Sequence, residues 1–140
     1  MVIRYRHARQ EDVRVLERLF EEFSRWQLER SDSIRKAIDN PDGELLVAEV
    51  DDKIAGFIHQ VFFEDPLHAG LNSLITDLFV KEEHRKKGIG SELLKRALET
   101  AKTKEVKEVH VTTREENHRA MKFYEKHGFD RAGVLFEMNP

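Results

Sequence analysis

The stretch Leu78-Phe79-Val80-Lys81-Glu82-Glu83-His84-Arg85-Lys86-Lys87-Gly88-Ile89-Gly90-Ser91 joins two different periodicities. Before the turn, Ser73 to Val80 is an apolar run of strand length. After it, Ile89, Leu93, Leu94, Ala97, Leu98 and Ala101 recur at the spacing of one helix face. A strand therefore feeds a basic turn, and two glycines fall where the next helix begins. First-turn amides of a helix have no intrahelical partner, and the helix dipole puts partial positive charge there. Gly88 and Gly90 let that backbone approach a bulky anion closely, and Arg85, Lys86 and Lys87 add full charges. Such a turn suits a phosphate or pyrophosphate. A dinucleotide fingerprint would need a third glycine where Leu93 stands. A Walker loop would need its lysine after the glycines, whereas here the lysines come first. A solvated basic turn that only starts a helix is the other reading the residues leave open.

Outward from this stretch the chain alternates elements without repeats or linkers. Val2 to Arg6 has the alternation of a short strand. Val13, Leu16, Leu19, Phe20, Phe23 and Trp26 predict a helix from Asp12 to about Leu28. A second helix is expected to start near Ser31 to Ser33, whose hydroxyls would cap it, and to stop before the turn Asn40-Pro41-Asp42-Gly43. Glu44–Val50 and Lys53–Phe63 read as strands joined by a tight Asp51-Asp52 connection, and Leu67–Leu71 as a loop. Val106–Thr113 reads as a strand, Asn117–Lys126 as a helix and Phe129–Met138 as closing strand material. Strand, crossover helix and strand in that order form a right-handed parallel unit. The expected fold class is α/β (α+β), with a mixed, mostly antiparallel sheet flanked by helices.

The length of 140 residues suits one domain, residues 1–140, large enough to bury a core without staples. Cysteine is absent, which excludes disulfide frameworks and cysteine nucleophiles. Lys+Arg 24 against Asp+Glu 27 leaves a net charge of −3, unlike the basic surplus of a general nucleic-acid binder. No apolar run approaches the roughly 18 residues of a membrane span, and Met1–Gln10 is strand-like and charged rather than a signal peptide. A cytoplasmic domain with no membrane or nucleic-acid partner is expected. The richness in Glu, Lys and Arg with few Asn and Gln is a thermophile-like composition.

With Arg85-x-x-Gly88-x-Gly90 in a strand-to-helix context, the segment resembles the acetyl-CoA pyrophosphate site of GCN5-related N-acetyltransferases. The stretch Asn117-His118-Arg119-Ala120-Met121-Lys122-Phe123-Tyr124-Glu125-Lys126-His127-Gly128-Phe129 is similar to a second element of that family. The element order agrees over nearly the whole chain. The resemblance implies the acyl-CoA N-acyltransferase fold, with a central parallel strand pair splayed at a bulge near Leu78–Val80, opposite Glu108–Thr113. It implies that Leu78, Phe79 and Val80 hold the pantetheine arm of acetyl-CoA, and that the amides from Arg85 to Ser91, through Lys86, Lys87, Gly88, Ile89 and Gly90, hold the pyrophosphate. Asn117 would bond the arm from the other side, or cap the last helix.

The implied reaction is direct acetyl transfer from a thioester to an amine. An amine of pKa about 10.4 is only about 0.04% neutral at pH 7, so a proton must be removed. Tyr124, which matches the family tyrosine, is the candidate acid for the departing thiolate. The alternative is a core aromatic beside Phe123, although neighbouring aromatics are expected on different helix faces. Asp77 is the candidate base. Strand alternation puts Ile75, Asp77 and Phe79 on one side, so the carboxylate sits between apolar neighbours. An ion pair with a nearby Arg or His is the alternative. Glu64 and Asp65 end the hairpin strand and are candidate acceptor-binding residues, or solvated turn residues. The seven histidines include no pair at i,i+3 or i,i+4, and no metal site is expected. Thr112 stands where ribosomal-protein-type N-terminal acetyltransferases often have a Glu.

The expected function is acetyl-CoA-dependent N-acetylation of a small cationic amine of polyamine, aminoglycoside-like or lysine-like type. Acetylation of a protein N-terminus or lysine is the alternative within enzymes. A non-catalytic acyl-CoA-binding regulatory domain is the alternative of another class. A homodimer is the family-level expectation.

Overall fold

The computed structural model describes residues 1–140, in two compact units, 1–110 and 111–140. The sheet has the order β1 (Ile3–His7), β2 (Gly43–Val50), β3 (Lys53–Asp65), β4 (Gly70–Val80) and β5 (Val109–Val111). The first four strands pair antiparallel with their sequence neighbours. Between β1 and β2 lie α1 (Val13–Ser24) and α2 (Ser31–Asp39), and α3 (Ile89–Thr103) connects β4 to β5. Lys107 N–H donates to Leu71 O (2.7 Å) and Ser73 N–H to Glu108 O (3.0 Å), which sets the parallel direction of β5. The mixed, mostly antiparallel sheet with a parallel pair is thus present.

Two side-chain layers cover the first unit's sheet. On one face Leu16 and Leu19 of α1 and Ile34 of α2 join Leu45, Val47, Phe57 and Phe79 in a buried cluster, where the Phe20 and Phe57 rings lie 4.4 Å apart. On the other face α3 buries Ile89, Leu93, Leu94, Ala97 and Ala101. There the fully buried Gln60 donates from Nε2 to Ala97 O (3.1 Å) and accepts from Ser73 Oγ (2.8 Å). That chain of bonds ties β3, β4 and α3 together and satisfies a polar group that burial would otherwise penalise.

Several boundaries differ from the sequence expectation. Helix α1 stops at Ser24 because Arg25 turns left-handed (φ 63°), its N–H donating to Glu21 O at 2.7 Å. Trp26 therefore leaves the apolar stripe and is 66% exposed. No hydroxyl caps α2; its N-cap is Arg30, whose guanidinium donates to Trp26 O (3.0 Å) and Ser24 Oγ (2.8 Å). The Asp51-Asp52 hairpin is as expected, both residues having positive φ (48° and 67°), the conformation a two-residue hairpin requires. Strand β4 starts at Gly70, inside the expected loop, and β5 is only three residues long.

The bulge is also displaced. It falls not at Leu78–Val80 but where β3 and β4 lose register: Gln60 pairs with Ile75 and His59 with Asp77, leaving Thr76 extra. An extra residue reverses the phase of alternation. Asp77 consequently shares a face with His59, Phe57 and Phe79, while Ile75 sides with Gln60. The expectation that Ile75 and Asp77 share one side is corrected.

The second unit, 111–140, contains α4 (His118–Lys126) with the segments before and after it. Phe129–Met138 forms no strand. Its one backbone bond is Phe129 N–H to Tyr124 O (3.0 Å), and Phe136 is 90% exposed; a strand without a ladder partner has nothing to hold it extended.

At the entry to α1, Arg6 grips Asp12 through both terminal nitrogens (2.7 and 3.0 Å), and Arg9 N–H donates to the same carboxylate (2.8 Å). Burial opposes ionisation of Asp12, but the Arg6 and Arg9 hydrogen bonds win and hold the carboxyl below its ordinary range. Asp12→Asn is expected to lower stability by about 1–3 kcal/mol, read as a lower denaturant midpoint with unchanged m-value.

Candidate functional site

The end of β4 and the start of α3 are built by local backbone chemistry. Phe79 and Val80 pair with Phe57 and Gly56 of β3. A Cβ on Gly56 would lie 2.7 Å from Phe79 O, so only glycine permits this close approach. Phe79 is buried and Val80 half-buried. Leu78 pairs with Ile58 and faces α3. The bonds from Lys107 and Glu108, just before β5, fall at Leu71 and Ser73, and a parallel register carried on through three-residue β5 stops short of Leu78. The far edge of Leu78–Val80 is thus outside the ladder.

After a 3-10 turn at Glu82–His84 the chain turns left-handed at Lys86 (φ 64°) and Gly88 (φ 78°). Gly88 is the N-cap of α3, no side chain caps that helix, and nothing lies within 4 Å of where a Gly88 Cβ would be. The first intrahelical bond runs from Glu92 N–H to Gly88 O (3.0 Å). The amides of Ile89, Gly90 and Ser91 therefore stand ahead of the bonded helix, as donors without a side-chain cap. Arg85 is half-buried: its Nε donates to Val80 O (3.0 Å) and its guanidinium lies 5.9 Å from the Phe79 ring centroid. That bond fastens the turn to β4 and leaves the two terminal nitrogens available. Lys87 donates to His84 Nδ1 (3.1 Å), and Lys86 is exposed.

On the α1–α2 face, Asp77 is half-buried opposite His59. His59 Nδ1 lies 2.6 Å from Thr76 Oγ1, while Nε2 is buried with no partner. Burial pushes the His59 imidazole below its ordinary value, against the opposing pull of Asp77. His59 also lines a cleft of about 550 Å³ whose other wall is α2, with Ser33, Lys36, Asp39 and Asn40 among its residues. Sequence reasoning passed over His59. The available signal was period-2 spacing, which places it on the face of Phe57, a titratable ring among apolar positions.

Glu64 is exposed at the end of β3. Asp65, by contrast, is taken up by the β3–β4 turn: it accepts from His68 Nδ1 (2.6 Å), Asn72 Nδ2 (2.8 Å) and Leu67 N–H (3.1 Å). The other ring nitrogen of His68 meets Glu108.

In the second unit, Asn117 caps α4, accepting at Oδ1 from Ala120 N–H (3.1 Å), while its amide NH2 has no partner. The capping alternative is thus realised, with the donor end still available. Tyr124 is half-buried, its ring 5.3 Å from Phe123 and 5.6 Å from Phe129, both edge-to-face. Neighbours Phe123 and Tyr124 thus touch edge to face. No group of three or more His, Asp or Glu is placed to hold a metal ion, and no helix is long and apolar enough to cross a membrane.

The chain belongs to the acetyltransferase (GNAT) family, whose sequence model matches residues 11–129. It is 29% identical over 97 residues to a putative ribosomal protein bS18-alanine N-acetyltransferase of Bacillus subtilis (strain 168). The match covers 69% of this chain and 60% of that protein, so the chain spans less than two-thirds of this relative's length. Among solved structures, an aminoglycoside acetyltransferase from an uncultured soil metagenomic sample, in complex with trehalose, superposes with TM-score 0.85 at 20% identity, covering 99% of this chain and 96% of that one. A predicted acetyltransferase from Clostridium acetobutylicum, solved with acetyl-CoA, gives TM-score 0.81 at 17% identity, covering 99% and 96%. At these identities the two structures speak for the fold.

The Asp65–His68–Glu108 contacts make a stability prediction. The Asp65 hydrogen bond, aided by Glu108, raises the His68 pKa above about 6.5. A raised folded-state pKa contributes stability that is full below the unfolded value and is lost as pH rises through the folded one. Asp65 is lowered, chiefly by His68, so its contribution is lost only on acidification through its folded pKa. The denaturant midpoint is expected to fall between pH 6 and pH 9, and His68→Gln should shrink that fall; an equal fall in both proteins would contradict the assignment.

Proposed function

We propose that residues 1–140 act as one N-acetyltransferase domain that moves an acetyl group from acetyl-CoA to the primary amine of a small cationic acceptor. Polyamine, aminoglycoside-like and lysine-like amines are the proposed class. The observation that carries the reading is the uncapped start of α3 behind a left-handed Gly88. Unspent amide donors, a helix dipole and open space beside the backbone fit a diphosphate. Ile89, Gly90 and Ser91 would bind it, with Gly88 admitting it and Arg85, Lys86 and Lys87 supplying charge. The edge of Leu78, Phe79 and Val80 would take the pantetheine arm as an added strand, and the Asn117 amide would donate to it. Acetyl-CoA supplies an acetyl group activated as a thioester.

Asp77 is proposed to supply negative charge where the acceptor ammonium loses its proton. Tyr124 is proposed as the acid, because a phenol of pKa near 10 stays protonated at neutral pH. Glu64, exposed at the strand end, would attract the cation; Asp65 keeps a lesser part in this, being engaged by its own turn. A cytoplasmic location and a homodimer belong to the same proposal.

A second reading, acetylation of a protein N-terminus, is favoured by the similarity to the Bacillus subtilis protein named for ribosomal protein alanine. Thr112, in place of a glutamate, weighs against that mechanism. Incubation with acetyl-CoA and a mixture of spermidine, kanamycin, lysine and an alanine-initiated peptide, read by product mass, separates the two.

Tyr124→Phe is expected to lower kcat tenfold or more with coenzyme affinity nearly intact; unchanged turnover would remove it as the acid. Gly90→Val should raise the acetyl-CoA KM and weaken coenzyme A binding in calorimetry. Survival of full affinity would mean that the diphosphate binds elsewhere.

A further inference from the structure

The bulge at Thr76 gathers groups that the sequence keeps apart. His59 faces Asp77 across the β3–β4 ladder, and directly opposed side chains in such a ladder lie close enough to interact. Thr76 Oγ1 is within hydrogen-bond reach of both the His59 carbonyl oxygen (3.4 Å) and His59 Nδ1 (2.6 Å). The hydroxyl has one proton. With that proton assigned to the carbonyl, the hydroxyl oxygen accepts and Nδ1 carries the ring proton. The lone pair of the neutral ring then sits on Nε2, the nitrogen that is buried without a partner. A buried acceptor with nothing to accept carries a cost, which a donor arriving from a ligand would relieve.

The surroundings suit a cationic visitor that gives up a proton. The ring lines the cleft against α2, where Asp39 is anionic and Arg35 and Lys36 are cationic; Asp77 faces the ring from β4. Arg35 pairs with Asp32 at 3.6 Å, and Asp39 accepts from Gln10 Nε2 at 3.0 Å. Lys36 opposes added positive charge in the cleft, and Asp77 favours it at the ring.

We propose that His59 Nε2 receives the proton lost by the acceptor amine, with Asp77 as the counter-charge that stabilises the imidazolium formed. This rests on the acetyltransferase reading, and it makes Asp77, the candidate base of the sequence, the counter-charge instead. The ammonium N–H bond breaks, its proton goes to Nε2, and the electron pair stays on nitrogen. That pair forms the N–C bond to the acetyl carbon as the C–S bond breaks. The sulfur leaves with its electron pair and takes a proton from Tyr124, a second amine proton departs to water, and the proton held on Nε2 passes through solvent to restore the tyrosine. Ammonium plus thioester thus gives amide, thiol and one proton. Burial keeps the ring neutral at pH 7 and ready to accept.

The test uses the full chain with acetyl-CoA and whichever of spermidine, kanamycin or an alanine-initiated peptide it acetylates. His59→Gln should lower kcat/KM by about 100-fold or more and abolish its acid limb, with coenzyme A affinity unchanged and a cooperative melt retained. Asp77→Asn should cost less and move the acid limb to lower pH, because an anion that favours the imidazolium is gone. Independently of activity, 15N NMR of the wild-type protein at pH 7.5 should find His59 neutral with the proton on Nδ1. A charged ring, a proton on Nε2, or a wild-type pH profile in His59→Gln would overturn the assignment while leaving the acetyltransferase reading in place. A wild-type protein that neither binds coenzyme A nor acetylates any of these amines would overturn both.

Discussion

Thr76 is one residue more than the β3–β4 ladder can pair, and much of the first unit follows from where that surplus is placed. Before it, Ser73 and Ile75 point with Gln60 toward α3, where the Gln60 amide is satisfied by Ser73 and by a helix carbonyl. After it, Asp77 and Phe79 point with His59 and Phe57 toward α1 and α2. Without the bulge, Asp77 would fall on the α3 side. A carboxylate there would face a close-packed apolar layer with no partner, at a cost of several kcal/mol. The bulge therefore reconciles a continuous apolar core with polar groups beside a cleft.

The second constraint is electrostatic and belongs to the backbone. Helix α3 begins after a left-handed glycine and carries no capping side chain, although a cap would contribute about 1 kcal/mol. Leaving those amides unspent keeps a positive dipole end available to an anion. Arg85 bonds the preceding turn to the end of β4, so strand edge and helix start form one preorganised stretch.

The fold was legible wherever a local signal agreed with the long-range one. Apolar spacing located α1, α3 and the central strands, and the two aspartates located the hairpin. The Gly88 turn was legible because glycine at a helix start has a specific backbone use. Legibility failed where a side chain or a partner strand overrode propensity. Arg30 draws the residues after Ser24 into a loop that helical spacing cannot foresee. The Phe129–Met138 segment has strand-like composition but no ladder. Asp65 reads as a rim carboxylate yet is consumed by His68, Asn72 and Leu67, residues whose convergence depends on the turn.

The amino-acid order alone determined the alternation of strand and helix, the basic turn with its two glycines and the family motifs, because these depend on neighbours a few positions apart. The face on which Asp77 lies, the burial of His59 Nε2 and its closeness to Thr76 were decided only in three dimensions. A single unpaired residue shifts the phase of every side chain beyond it, and its position is set by packing on both sides of the sheet rather than by any residue's own preference.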